Sequence, residues 1–209
     1  MAYTLTTATT AVRNVLNEAT ANFWSDTQIQ SWIKDGCVDL SGKGMVYLNN
    51  ESITLAATTL YYTSTEEAWI ANAARIFSAY YDDGSNGYNG VLKIDPSQIG
   101  HMPQATAGAP EYFALSGKRV YVWPLTSATI VSAGGTLNFE VAEITDDIAN
   151  LEFEYQHLVI NYAIAYALAR DKHFQDANMF FSVYRTGLEF ERKDKVERER
   201  GSYAEFKTR

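Results

Sequence analysis

The sequence predicts an α+β fold: a four-helix bundle formed by both chain ends, with an inserted antiparallel β-sheet or sandwich region. Three observations predict it. Residues near each end repeat apolar side chains at helical spacing. The stretch between them is rich in Thr, Tyr, Val and Gly, with short two-residue alternations. The flanking helices each carry one apolar face, and they can bury those faces only against one another. The expected division is 1–45 and 150–200 for the bundle, 46–149 for the β insertion and 201–209 for a C-terminal tail.

Val12, Val15 and Leu16 predict a first helix over Thr7–Glu18, weakened by its threonines. The second helix has a clearer start. Ser25-Asp26-Thr27-Gln28 has capping-box spacing, and Ile29, Trp32, Ile33, Cys37 and Leu40 follow on one face. Ser41-Gly42-Lys43-Gly44 is expected to stop it. Phe23 and Trp24 precede the cap, where an apolar residue can staple the chain's approach.

In the insertion, Ser52–Thr63 reads as one or two strands and Trp69–Tyr81 mostly as a strand, before the turn cluster Asp82–Gly87. Asp95-Pro96-Ser97 opens a short helical turn through Ile99. Glu111–Leu115 and Lys118–Trp123 read as a hairpin turning at Ser116-Gly117. Thr136–Val141 alternates as a half-buried strand. Two helices end the chain, Glu154–Lys172 and Asp176–Arg198. Beyond Phe190 the apolar stripe gives way to charge that i, i+4 pairs such as Glu191–Lys195 can hold. Gly201-Ser202 is expected to break that helix.

A chain of 209 residues with 46% hydrophobic content is long enough to bury a full core. Fourteen tyrosines suit either the core or surfaces buried on assembly. Net charge is −8. Residues 1–184 hold 9 basic and 19 acidic side chains, and residues 185–209 hold 8 and 6. An acidic body argues against tight binding to phosphate backbones. Cys37 is the one cysteine, so no disulfide framework or cysteine zinc site is expected, in keeping with a reducing cytoplasm. The N-terminal segment lacks the pattern of a signal peptide, and no stretch is apolar enough to span a bilayer.

No catalytic constellation emerges. His101, His157 and His173 lack metal-ligand spacing and read as structural or surface residues. Asp82-Asp83 and Asp146-Asp147 fall in turn contexts. Asp82–Asn86 resembles the start of a calcium loop but lacks the distal ligand. There is no P-loop, GxGxxG or GxSxG. The expectation is therefore no enzyme, no cofactor and no metal. An enzyme would need two of Asp82, Asp83, His101 and Glu111 to converge in a pocket.

Trp24-Ser25-Asp26, opening a helix that contains Gln30-Ser31-Trp32-Ile33, resembles the N-terminal region of head-to-tail adaptor (connector) proteins of tailed bacteriophages. Ala109-Pro110-Glu111-Tyr112-Phe113, the following hairpin into Val120-Tyr121-Val122-Trp123-Pro124, the connection around Ile148–Leu151 and the Tyr162–Ala169 helix continue the resemblance in the same order. Ala109 stands where such adaptors usually have Gly. The resemblance implies a virion structural protein, made in the host cytoplasm, that forms a ring of about twelve copies beneath the portal. Such a ring extends the DNA channel, passes DNA without sequence-specific binding and docks a downstream tail or nozzle protein. The portal contact then falls on Arg192, Lys193, Lys195, Arg198, Arg200, Tyr203, Phe206, Lys207 and Arg209. The alternatives are another tail-completion protein, or a ligand- or glycan-binding module built on the β insertion. No membrane partner is expected.

Overall fold

A computed structural model describes residues 2–18, 23–84, 88–99, 101–102 and 107–206, the side chains of Tyr88 and of 194–206 excepted. In chain order it contains helices α1 (Leu5–Val15) and α2 (Asp26–Gly44), and strands β1 (Leu48–Thr54) and β2 (Tyr61–Thr63). A 3-10 turn (Ala68–Ala71), β3 (Ala73–Asp82), β4 (Tyr88–Lys93), α3 (Pro96–Ile99) and β5 (Ala107–Gly108) follow. Next come β6 (Tyr112–Ser116), β7 (Arg119–Trp123), β8 (Leu125–Thr126), α4 (Ala128–Ser132) and β9 (Thr136–Glu143). A second 3-10 turn (Ile148–Asn150), α5 (Phe153–Arg170) and α6 (Phe174–Phe206) complete the α+β fold. The chain divides into two compact units, Met1–Tyr47 with Ile144–Arg209, and Leu48–Glu143.

In the helical unit, α1, α2, α5 and α6 share one core that includes Val12, Ile29, Ile33, Cys37, Leu40, Val159, Ile164 and Tyr184. The capping box opens α2 as the spacing predicts: Ser25 Oγ accepts from Gln28 N at 3.2 Å, and Gln28 Oε1 accepts from Ser25 N at 2.9 Å. Trp24 meets Trp32 edge to face, with ring centroids 5.1 Å apart. Helix α2 ends at Gly44, the last residue of the expected stop segment Ser41–Gly44, with Met45 in left-handed conformation as its cap. Ser41 turns its hydroxyl back to Cys37 O at 2.6 Å and accepts from Thr145 N at 3.0 Å. Gly44 lets α6 come close, since a Cβ there would stand 3.2 Å from Leu188.

Two buried polar side chains tie distant parts of this unit. Gln156 is fully buried, and its amide is satisfied three ways. Oε1 accepts from Tyr3 N at 2.7 Å, while Nε2 donates to Ile148 O at 3.0 Å and Leu151 O at 2.8 Å. Arg13, also buried, donates to Trp24 O at 2.8 Å and Asp26 Oδ1 at 2.6 Å, and faces Glu18 at 3.4 Å.

The second unit is a seven-stranded sheet in the order β1-β9-β3-β4-β6-β7-β2. Its pairs are antiparallel except β4–β6, which run parallel. A wholly antiparallel sheet was expected. The parallel pair arises because a long crossover containing α3 joins β4 to β6, and no hairpin can do that. β5 and β8 form a separate two-stranded parallel ribbon.

The sheet has to curl. β1 and β2 are its two edges, yet they are consecutive in sequence. The link from Thr54 to Tyr61 reaches at most about 25 Å. The edge strands of a flat seven-stranded sheet would stand about 29 Å apart. Curling is seen directly where Phe113 on β6 meets Phe139 on β9, three strands away, with ring centroids 5.7 Å apart. All seven strands feed the enclosed core, which includes Ile53, Tyr62, Ile76, Val91, Phe113, Val122 and Phe139.

The β6–β7 hairpin turns one residue later than Ser116-Gly117. Ser116 pairs with Arg119, leaving Gly117 and Lys118 as the turn, with φ of 56° and 61°. Both central residues of such a turn need positive φ. Gly117 adopts it freely, whereas Lys118 is strained. The stretch Trp69–Tyr81 begins as the 3-10 turn and becomes strand only at Ala73.

Lys118→Gly is expected to stabilise the protein by about 1 kcal/mol, read from urea denaturation, because it removes left-handed strain at an exposed position. Arg13→Met should cost about 3 kcal/mol in the same assay, since Glu18 and Trp24 O keep their burial and lose their donor.

Candidate interaction surfaces

α6 has two faces. One packs inward through Ala177, Tyr184 and Leu188, and its close approach to α5 is permitted by Gly187, where a Cβ would fall 2.7 Å from Leu158. The opposite face, at i, i+4 and i+11 spacing, presents Met179, Val183 and Phe190, exposed by 58, 48 and 70%. Among the described side chains the inner face meets α5 as far as Glu191, whose Oε2 accepts from Tyr155 hydroxyl at 3.0 Å. α5 begins only two residues before Tyr155. The helix nevertheless continues to Phe206, so residues 194–206 extend past the start of α5. Gly201-Ser202 does not break it, because one glycine costs a helix only about 1 kcal/mol.

Of the residues expected to meet a portal, Arg192 and Lys193 are exposed on α6. Lys195, Arg198, Arg200, Tyr203 and Phe206 lie on the same helix, but their side chains are outside the described ones. Lys207 and Arg209 are outside the described residues altogether.

A cleft of about 350 Å³ opens in the helical unit, lined by Glu18, Phe23, Trp24, Asp171, His173 and Asp176 among others. Its lining carries three carboxylates and two aromatic rings. Nothing in the local sequence marks it; only packing across the helical unit brings Glu18, Phe23 and Trp24 beside Asp171, His173 and Asp176. His173 Nε2 lies 3.3 Å from Asp171. His157 is exposed and packs edge-on against Tyr3 and Phe153. His101 is exposed just after α3.

The paired aspartates have local work. Asp82 Oδ1 accepts from Gly84 N at 2.9 Å, and Asp147 Oδ1 accepts from Ala149 N at 3.0 Å to cap a turn. Asp146 pairs with Lys34 at 3.2 Å on the surface. Among the described residues, no three His, Cys, Asp or Glu side chains gather as a metal site, and no helix is long and apolar enough to cross a membrane. Cys37 is fully buried, and burial, with Asp147 and Asp146 near it, pushes its thiol up to about 12. It is therefore no nucleophile at neutral pH.

Two ionisable groups of the sheet unit went unnoticed in the sequence. Lys93 is half-buried and donates to Ile76 O at 2.8 Å, and that burial brings its ammonium down to about 8. Glu51 is raised above the usual carboxylate range by burial and by the charge and hydrogen bond of Glu143. Glu143 is itself buried and accepts from Asn49 Nδ2 at 3.0 Å. Glu51 lies in β1 and Glu143 in β9, far apart in sequence, so only the β1–β9 pairing brings them near each other.

An α+β chain with exposed apolar and aromatic surfaces and an inert thiol has the features of a protein that acts by joining other proteins. The family model described as SU10 adaptor protein matches residues 3–205, and the chain belongs to that family of bacteriophage adaptors. The resemblance to head-to-tail adaptors read from the sequence is borne out over nearly the whole chain. A comparison with curated proteins returned no match.

The raised Glu51 carboxyl favours its neutral form in the folded state. Its stabilising contribution is thus present below the unfolded carboxyl value, near 4.3, and lost as pH rises through the folded one. Glu51→Gln should raise the Tm at pH 7, with the gain shrinking towards pH 4. Equal gains at both pH values would show that proton linkage is not the cause.

Proposed function

We propose that the protein is a virion structural component, a head-to-tail adaptor that forms a ring of about twelve copies beneath the portal. The ring extends the DNA channel and docks a downstream tail or nozzle protein. The family match supports the adaptor role, and one structural observation supports the mode of attachment: α6 runs past the start of α5.

A helix that projects beyond its packing partner and carries alternating charges suits a groove on another protein. Isolated helical segments of about 13 residues are marginal in water, so contact with a partner would add to the stability of this end. The projecting end carries Lys195, Arg198 and Arg200 with Tyr203 and Phe206, and Arg192 and Lys193 lead into it. Cationic side chains steer the encounter, and the two aromatic rings supply area to bury. Lys207 and Arg209 extend the same contact.

Carboxylates outnumber cations by 19 to 9 in residues 1–184. Acidic side chains on the channel wall repel the phosphate backbone and let DNA slide without sequence-specific binding. The protein is made in the host cytoplasm and ends at the head–tail junction of the particle. Catalysis has no part in this role.

Mass photometry of the full chain mixed with portal from the same virus tests the reading. The expected result is addition of about twelve copies to each portal ring. A chain truncated after Arg192 should keep its circular dichroism spectrum and lose affinity for portal at least about ten-fold. Full affinity in that truncated chain would remove the projecting end from the contact.

A further inference from the structure

The outer face of the curled sheet carries two surfaces of different chemistry. On β2, β6 and β7, the buried side chains Tyr62, Phe113, Val120 and Val122 point inward. Alternation therefore turns Tyr61, Tyr112, Tyr121 and Trp123 outward. Register sets Tyr61 against Tyr121 and Tyr112 against Trp123, with ring centroids 5.6 and 5.7 Å apart. Arg119 lies 4.8 Å over the Tyr61 ring, and Lys118 stands exposed beside it in the turn. The nearby Glu66 carboxylate is held by the backbone N–H and hydroxyl of Thr63. This surface is aromatic and cationic; Tyr61 is 41% exposed, Tyr112, Tyr121 and Trp123 are half-buried, and Ala114 between them is fully buried.

On β1, β9 and β3 the same alternation turns out a different set. Ile53, Leu137, Phe139 and Val141 are buried, so Asn50, Ser52, Asn138 and Glu140 face outward. Register aligns Asn50 with Glu140 and Ser52 with Asn138. Glu140 is exposed and accepts from Ser78 hydroxyl at 3.4 Å. Tyr80 of β3, in register with Asn138, is 44% exposed on the same face, so this surface offers amides, hydroxyls, one tyrosine ring and a carboxylate.

The two surfaces look in opposite directions. β9 is second and β7 sixth in the strand order, and the sheet between them is bent far enough for β6 and β9 to touch across its core. Strands four places apart in such a curl face away from each other. A closed cyclic assembly requires that arrangement: each copy must offer two different, complementary patches on opposite sides. Tyrosine hydroxyls, a guanidinium and an ammonium on one side match amide and carboxylate oxygens on the other.

We infer that a second copy of the chain docks here, its Glu140 surface on β1–β9 seating against the Tyr61–Arg119 surface on β2–β7 of its neighbour. The inference rests on the ring reading and names the contact that closes it. The contact is head-to-tail, so every copy uses both surfaces once.

Charge reversal tests it. Arg119→Glu, Glu140→Arg and the double variant are mixed with portal, and the copies bound per portal ring are counted by mass photometry. Each single variant is expected to need at least about ten-fold more protein to fill the ring. The double variant, whose charges are exchanged across the contact, should return to within about three-fold of the unaltered chain. All three are exposed substitutions, and matching circular dichroism and Tm exclude misfolding as the cause. Single variants that fill the ring normally overturn the inference and leave the ring standing. A double variant no better than the singles overturns it as well. If the unaltered chain gathers no ring on portal, the ring reading falls, and this contact falls with it.

Discussion

The β1–β9 ladder is the constraint on which the rest of the structure depends. Its seven paired positions, from Leu48 with Ala142 to Thr54 with Thr136, bring the two ends of the insertion together. The chain therefore leaves and rejoins the helical unit at adjacent residues, Tyr47 and Ile144. Without that ladder, α1 and α2 would be tethered to α5 and α6 only by a long closed loop, whose closure entropy opposes their packing. With it, the helices meet as if the intervening residues were a short turn. The hydrogen bond from Thr145 N to the buried Ser41 hydroxyl then fixes the chain to α2 as it re-enters the helical unit.

Buried polar groups link distant segments of the helical unit. Gln156 holds Tyr3 at one end of the sequence and the Ile148–Leu151 turn at another, so one amide aligns three segments. Tyr184 donates to Asp39 at 2.6 Å and links α6 to α2. Glycine does complementary work at Gly44 and Gly187, where α6 approaches its neighbours too closely for a side chain. Among the described side chains this packing reaches as far as Glu191.

Local signals in the sequence were read well, and pairings between distant residues were not. The Ser25–Gln28 capping box depends on four residues and was legible. So was the burial of Cys37, because its neighbours on α2 repeat at helical spacing. The hairpin was placed one residue early, because Ser-Gly and Gly-Lys are both plausible turns and only the pairing of Ser116 with Arg119 decides between them. The parallel β4–β6 pair, the Glu51–Glu143 neighbours and the outward row of Tyr61, Tyr121 and Trp123 all depend on strand order. A one-residue slip would turn those aromatics inward, so composition alone left it open whether tyrosine served core or surface. The expected portal residues lie mostly where side chains are not described, and Arg192 and Lys193 are the two whose exposure is seen.

The nested order of the units also sets a schedule for synthesis. α1 and α2 leave the ribosome first, but most of the surface they bury belongs to α5 and α6, about a hundred residues later. At roughly 5–20 residues per second, that is a delay of about 5–20 seconds, during which Ile29, Trp32 and Leu40 have no lasting partner. The sheet unit is contiguous, and its last strand, β9, emerges before α5 begins. Nascent chains held at that stage would thus display an amphipathic hairpin of helices beside a finished sheet. Chaperones that bind exposed apolar helices would find their substrate there, and translation of α6 would end the opportunity.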